Sequence, residues 1–101
     1  MTVLESALLP KVRSVHDLKT DVVPFQAVLK GVKRFEIRKD DRSYQVGDQV
    51  LMREVNPLGQ MTGSYISARI SYVLRGPSAF AYGIQQGYCA FGISDCVSGE
   101  E

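Results

Sequence analysis

The stretch Gly31-Val32-Lys33-Arg34-Phe35-Glu36-Ile37-Arg38 lies where the hydrophobic pattern of the chain changes from helical to extended. Immediately before it, Phe25, Val28 and Leu29 are spaced at i, i+3 and i+4, which places them in one apolar stripe on a short helix. Gly31 then suits the left-handed conformation that commonly follows the end of a helix. The pattern therefore predicts a helix that ends just before residue 31.

Beyond Gly31 the hydrophobic period becomes two, as in a β-strand. Phe35 and Ile37 are expected on the side that faces the core, and Glu36 and Arg38 on the other side. A strand face with alternating charges is typical of a solvated surface, but the same side chains could line a binding cleft. Both interpretations stay open at this point.

Four further segments predict strands, and turns rich in glycine, proline or aspartate separate most of them. These segments are residues 12–19, 49–55, 66–74 and 88–94. In the third, one face is expected to carry Ile66, Ala68, Ile70, Tyr72 and Leu74. About five strands with one clear helix after the first predict a mainly β (α+β) fold, a small barrel that closes or nearly closes because closure removes free strand edges.

The chain has 101 residues, the length of one domain. Residues 1–11 are expected to form an N-terminal arm, residues 12–96 the folded domain and residues 97–101 a flexible tail. No apolar run is long enough to cross a membrane, and the first residues lack the basic start of a secretory signal. A cytoplasmic location without membrane partners is therefore expected.

Charge and metal-ligand content exclude two classes of site. The net charge of +1 argues against the strongly basic surface of duplex-DNA binders, although residues 30–42 hold six basic and three acidic side chains. Two cysteines and one histidine fall short of the four ligands of a structural zinc site. We expect no metal and no cofactor, and two unpaired thiols at Cys89 and Cys96.

Two segments carry a family pattern. In residues 25–38 a helix ends in Gly-x-Lys and is followed by a strand that ends in arginine, and residues 44–51 contain a Val-Gly-Asp turn into the next strand. Both resemble the ASCH family of the PUA-like superfamily of small β-barrels. The resemblance covers roughly residues 13–95 and points to a branch common in phages and bacteria. It implies a PUA-like barrel with a cleft beside the helix that binds RNA or nucleotides.

The same resemblance suggests an alternative function in catalysis. Some ASCH proteins are amidohydrolases that act on acylated cytidine through a lysine, a threonine and a glutamate. Lys33 matches the family lysine, but Glu36 stands where those enzymes carry the threonine nucleophile, and a carboxylate does not form the same acyl intermediate. Lys33 and Glu36 remain the candidate catalytic residues of an amidohydrolase acting on modified nucleosides.

We therefore expect an RNA- or nucleotide-binding module first. Its candidate contacts are a histidine and the charged residues on or near the predicted cleft: His16, Lys19, Lys33, Glu36, Arg38, Lys39 and Arg53. Arg38 is expected to clamp a phosphate through its fork of donors, and Tyr72 and Tyr88 either stack on bases or pack in the barrel. A third alternative is a phage domain that engages a host protein, and the oligomeric state stays open.

Overall fold

The computed structural model describes residues 14–101, so the predicted arm at residues 1–11 lies outside the described residues. The described elements, in chain order, are β1 (Val15–Asp21), α1 (Val22–Leu29), β2 (Phe35–Lys39), β3 (Gln49–Val55), β4 (Met61–Leu74), α2 (Gly76–Ala81) and β5 (Tyr88–Glu100). Neither of these two helices is long and apolar enough to span a membrane.

The five strands form one mixed sheet in the order β1-β3-β4-β5-β2. β1 is parallel to β3, and the other neighbours are antiparallel. The sheet curls into a half-barrel, so that its two edge strands, β1 and β2, approach each other across a gap that we call the seam. This confirms the predicted mainly β fold of five strands with a short helix after the first, although the barrel is open at the seam.

The core lies on the concave side of the sheet, beneath α1. It contains one cluster of buried residues: Leu18, Phe25, Val28, Tyr44, Val50, Met52, Ile66, Ala68, Ile70, Cys89, Phe91 and Ile93. Phe25 and Val28 of the predicted apolar stripe are buried, whereas Leu29, the third residue of that stripe and the last of α1, is 45% exposed. Burial of a phenylalanine ring stabilises the fold by about 1.5–3 kcal/mol. Gly31 has the predicted left-handed conformation, with φ of 79°, and the helix ends before it.

β2 turns the opposite face to the core from the one predicted. Phe35 and Ile37 are 49% and 51% exposed, whereas Glu36 is only 3% exposed. Glu36 lies opposite the core residue Phe91 of β5, and Arg38, two residues further along β2, lies on the same inward face. The prediction was wrong because alternation alone does not say which face of an edge strand is inside, and here the charged side chains find partners within the half-barrel.

β4 changes faces near its end. The predicted alternation holds as far as Ile70, which is buried, but one extra residue, Ser71, then forms a bulge. Tyr72 therefore lies opposite Gly92 of β5 and is 63% exposed. Tyr72 and Leu74, predicted to share the core face of Ile70, point outward because a bulge shifts the alternation by one residue.

β5 runs further than the predicted end of the domain at residue 96. Residues 97–100 pair with Ser64 to Ser67 of β4, after a register shift in the ladder near Asp95, whose φ is 55°. Because β4 begins as early as Met61, it offers backbone partners along the whole of this segment. The strand thus occupies most of the segment predicted to be a tail.

Candidate functional site

Arg38 joins the two edge strands across the seam. Its Nη1 donates to the backbone oxygen of Lys19 at 2.9 Å, and its Nη2 donates to the Thr20 hydroxyl at 3.0 Å. Within residues 14–101 the outer edge of β1 faces no further strand, so its backbone oxygens need other donors. Arg42 similarly donates to the backbone oxygen of Asp17 at 3.0 Å. These two arginines hold the half-barrel together where a sixth strand would otherwise pair.

Glu36 is a buried carboxylate held by cations on both sides. Its Oε1 accepts hydrogen bonds from Arg38 Nε at 3.1 Å and from Arg38 Nη2 at 2.9 Å, and its Oε2 accepts one from Lys33 Nζ. Lys33 also donates to the backbone oxygen of Phe35 at 2.6 Å. Because a buried charge without a partner costs several kcal/mol, this pairing is what allows Glu36 to face inward.

A cavity of about 330 Å³ opens at the seam, which we call the seam cavity. The end of β1, the first turn of α1 and β2 form its wall through Lys19, Thr20, Asp21, Pro24, Lys33, Phe35, Glu36, Ile37 and Arg38. Its volume lies at the lower end of the range that small-molecule sites occupy. Three cations and two carboxylates line it, which leaves a formal charge of +1.

Phe35 supplies an exposed aromatic ring at the rim of the seam cavity. The Lys33 ammonium lies 4.9 Å from the centroid of this ring. An exposed ring with a cation close to it can stack on a base while the cation attracts a phosphate. Phe35 was not among the predicted site residues because its ring was expected in the core, and no signal in a single sequence distinguishes the two faces of this edge strand.

The structure brings together part of the predicted set of contacts. Four of the seven line the seam cavity, namely Lys19, Lys33, Glu36 and Arg38. Lys39 is also on β2 but on the outward face with Phe35. Arg53 lies on the outer face of β3, where it pairs with Asp17 and Glu101, and the hydrogen bond from Asp17 raises the pKa of its guanidinium.

Arg38 occupies a different role from the predicted phosphate clamp. Its four hydrogen bonds to Glu36, Lys19 and Thr20 use four of the five guanidinium N–H donors. A bidentate grip on a phosphate would need two free donors in one plane. Arg38 is therefore a bridge between β1 and β2 that shapes the seam cavity, whereas the exposed Lys19 side chain, whose residue also lines the cavity, makes no ion pair within residues 14–101.

His16 is buried in the core, outside the seam cavity. Its Nε2 lies 2.8 Å from Asp48 Oδ2, and its ring packs at 4.7 Å from that of Tyr44. The backbone N–H of Gln45 donates to the same Asp48 oxygen at 3.0 Å, and Asp48 Oδ1 has no hydrogen-bond partner within residues 14–101. His16 was predicted to contact nucleic acid, but β1 turns it inward, where it fixes the turn that contains Asp48.

A third buried carboxylate, Glu54, was not singled out from the sequence. Its Oε2 accepts from Gln26 Nε2 of α1 at 2.9 Å, and its Oε1 accepts from the Thr62 hydroxyl at 2.8 Å. Glu54 lies opposite Thr20 in the register of β1 and β3. The interior beneath the start of α1 is thus polar, and it adjoins the wall of the seam cavity formed by Thr20.

The arrangement offers binding groups but no activated nucleophile. The Thr20 hydroxyl oxygen accepts from Arg38, and both oxygens of Glu36 accept from cations. A general base must reach the proton it removes, and no hydrogen bond within residues 14–101 joins Thr20 to a carboxylate. Nor does any group of three or more His, Cys, Asp and Glu in this part of the chain form a metal-binding set.

Comparisons with known sequences give the following matches. A family model described as "Domain of unknown function (DUF3850)" matches residues 15–93. The "Uncharacterized 12.9 kDa protein in GpA 3'region" of Escherichia phage P2 is 41% identical over 59 residues, which are 58% of this chain. The aligned region spans about half of that relative, 53% of its length.

Proposed function

The chain belongs to the DUF3850 family, and we propose that it binds RNA or a nucleotide in the seam cavity. One observation carries this proposal: a cavity of about 330 Å³ combines a lining of net positive charge with the exposed ring of Phe35. Nucleotides present the complementary pair of features, a flat aromatic base and an anionic phosphate.

The expected contacts follow from the positions of the side chains. The base stacks on the Phe35 ring, since every base has a π-face and stacking does not require a particular sequence. The phosphate faces Lys19, an exposed side chain that makes no ion pair within residues 14–101, and Lys33, which keeps one of its three ammonium donors beyond those used by Phe35 and Glu36.

Two further lines support this ligand class. Residues 25–38 and 44–51 resemble the ASCH family, for which binding of RNA or nucleotides in a cleft beside the helix is expected. The engaged oxygens of Glu36 favour binding over the alternative of an amidohydrolase acting on modified nucleosides. The similarity to a phage P2 protein agrees with the phage-like branch that the resemblance suggests.

The experiment compares two cavity variants with two matched controls. Isothermal titration with uridine 5′-monophosphate and a single-stranded octauridylate is performed at low salt. Lys19→Glu is compared with Lys30→Glu, which makes the same charge change at an exposed residue outside the cavity, and Phe35→Ala is compared with Phe80→Ala on α2.

Lys19→Glu replaces an attraction to the phosphate by a repulsion, and each is worth about 1 kcal/mol for charges 4 Å apart in water. We therefore expect the affinity to fall by roughly 10- to 30-fold. Phe35→Ala should cost about 1–3 kcal/mol of stacking. Each control should change the affinity less than about 2-fold, because Lys30→Glu alters only a distant, screened charge and Phe80→Ala alters no charge. The proposal fails if the parent protein binds neither ligand, or if each cavity variant binds like its control.

A further inference from the structure

The outward face of β2, β5 and β4 carries apolar side chains, at positions where a curled sheet ordinarily carries polar ones. We call this surface the outer platform. The strand register sets its residues in three rows, Phe35–Gly92–Tyr72, then Ile37–Ala90–Leu74, then Lys39–Tyr88. It thus presents three aromatic rings and two further large aliphatic side chains on one face.

Exposure marks the outer platform as an interaction surface. Phe35, Ile37 and Tyr72 are all about half exposed or more, although each was predicted to face the core. Adjacent apolar side chains left in water are uncommon and indicate a binding surface, whereas single ones are ordinary. The sheet places these apolar residues on its outer face, whereas the charged Glu36 lies inside.

No side chain of the central strand β5 separates the rings of Phe35 and Tyr72. Phe35 and Tyr72 are two strand spacings apart, about 10 Å, and Gly92 between them has no side chain. A Cβ added at Gly92 would come within 2.7 Å of Ser71 Oγ, so even alanine would require a shift. Ser71 is also the bulged residue that turns Tyr72 outward. Bulges commonly re-aim a side chain in this way beside functional sites.

Charge on the outer platform selects the kind of partner. Lys39 lies in its third row and the Lys33 ammonium is beside the Phe35 ring, whereas the three rows contain no aspartate or glutamate. Glu36 of β2 faces inward, and the carboxylate of Asp40, just after β2, is bound by Arg75 at 2.9 and 3.2 Å. A second copy of this chain would bring the same lysines face to face, so the surface suits a polyanion with flat apolar parts.

We infer that the outer platform binds a single-stranded oligonucleotide whose adjoining nucleotide occupies the seam cavity. This rests on the proposed function, because Phe35 belongs to both surfaces and makes them continuous. Bases stack on Tyr72 and Tyr88 and a phosphate faces Lys39, while Phe35 and Lys33 hold the adjoining nucleotide of the cavity. The ligand is therefore a strand of several nucleotides rather than a free mononucleotide.

The test measures how affinity depends on ligand length, on the full chain. Uridine 5′-monophosphate, octauridylate and the deoxyribose octamer of the same base are titrated against the parent, Tyr72→Ala and Lys39→Glu. Tyr82→Ala, an exposed tyrosine beyond α2, and Lys30→Glu are the matched controls. Circular dichroism checks folding, and Lys39→Glu provides an independent variant on the platform.

Octauridylate should bind at least about 10-fold more tightly than the monophosphate. Tyr72→Ala should weaken octauridylate about 5- to 150-fold, the range found when a stacking ring is removed, and leave the monophosphate unchanged. Lys39→Glu should also weaken the octamer selectively, while both controls bind like the parent. The ribose and deoxyribose octamers distinguish RNA from DNA as the strand that is held.

The outcomes separate this inference from the proposed function. Equal affinity for the monophosphate and the octamer, or an octamer affinity unaffected by Tyr72→Ala and Lys39→Glu, overturns the inference that the outer platform binds a strand. The proposed nucleotide site in the seam cavity is not affected by that result. Sensitivity to Tyr72→Ala without sensitivity to Lys19→Glu supports the platform and contradicts the cavity. If no ligand binds, both are overturned.

Discussion

Replacement of Arg38 by methionine should open the seam and remove a large part of the stability of the fold. The substitution deletes four hydrogen bonds and leaves Glu36, at 3% exposure, with Lys33 as the one cation among residues 14–101 that still pairs with it. Removing one partner of a buried ion pair costs about 3–5 kcal/mol, compared with a total of about 5–15 kcal/mol for a domain. Since 1 kcal/mol moves Tm by about 4–8 °C in a domain of this size, Tm should fall by at least about 12 °C.

The assay is urea and thermal unfolding followed by circular dichroism. Arg34→Met, at an exposed arginine just before β2, is the matched control and should stay within about 0.5 kcal/mol of the parent. The double variant Glu36→Gln with Arg38→Met should be more stable than Arg38→Met alone, because it leaves no buried charge. If Arg38→Met unfolds within about 1 kcal/mol of the parent, Arg38 is a solvated side chain and the bridging role is refuted.

His16→Ala should lower the urea midpoint, because it leaves buried Asp48 with the Gln45 N–H as its one donor, a loss of about 1–3 kcal/mol; an unchanged midpoint would contradict the buried pair. Burial raises the pKa of the Cys89 thiol and of the Tyr44 phenol. A folded pKa above the unfolded value gives stability that is complete below the unfolded pKa, about 8.5 for cysteine, and is lost as the pH rises. The free energy of unfolding should therefore fall above about pH 8.5, less steeply in Cys89→Ala than in the parent protein; equal slopes would show that Cys89 does not contribute.

Elements with a local cause could be predicted from the sequence. α1 follows from the spacing of Phe25 and Val28 and ends before Gly31 as expected. The loop between β3 and β4 likewise has a local cause, because Asn56 Oδ1 accepts from the backbone N–H groups of Leu58 and Gln60 at 3.0 and 2.9 Å. In each case the residues that decide the conformation are neighbours in the chain.

Features that depend on distant partners could not be predicted. The inward face of β2 is decided by Arg38 meeting β1, 18 and 19 residues earlier in the chain. The outward orientation of Tyr72 depends on the bulge at Ser71. The residues around this bulge have the composition of an ordinary strand, so the sequence does not reveal it. These two effects together moved the aromatic rings from the predicted core to the surface.

The same difference between local and distant contacts separates the site residues that were predicted correctly from those that were not. Lys33, Glu36 and Arg38 were predicted as one group because they share a short segment, and the structure places all three in the seam cavity. His16 and Arg53 were included for their chemistry alone, and their distant partners Asp48, Asp17 and Glu101 hold them elsewhere. Residue type indicated the chemistry, whereas tertiary pairing decided which side chains remain available to a ligand.

The central claim is that the seam cavity is the ligand site, and mapping of amide chemical shifts during titration with uridine 5′-monophosphate tests it most directly. We expect the largest shifts at Lys19 to Asp21 and at Lys33 to Arg38, which line the cavity. The opposite cleft, lined by Val46, Arg69 and Asp95, should show little change. Shifts concentrated at that cleft, or absent throughout at millimolar nucleotide, would contradict the account.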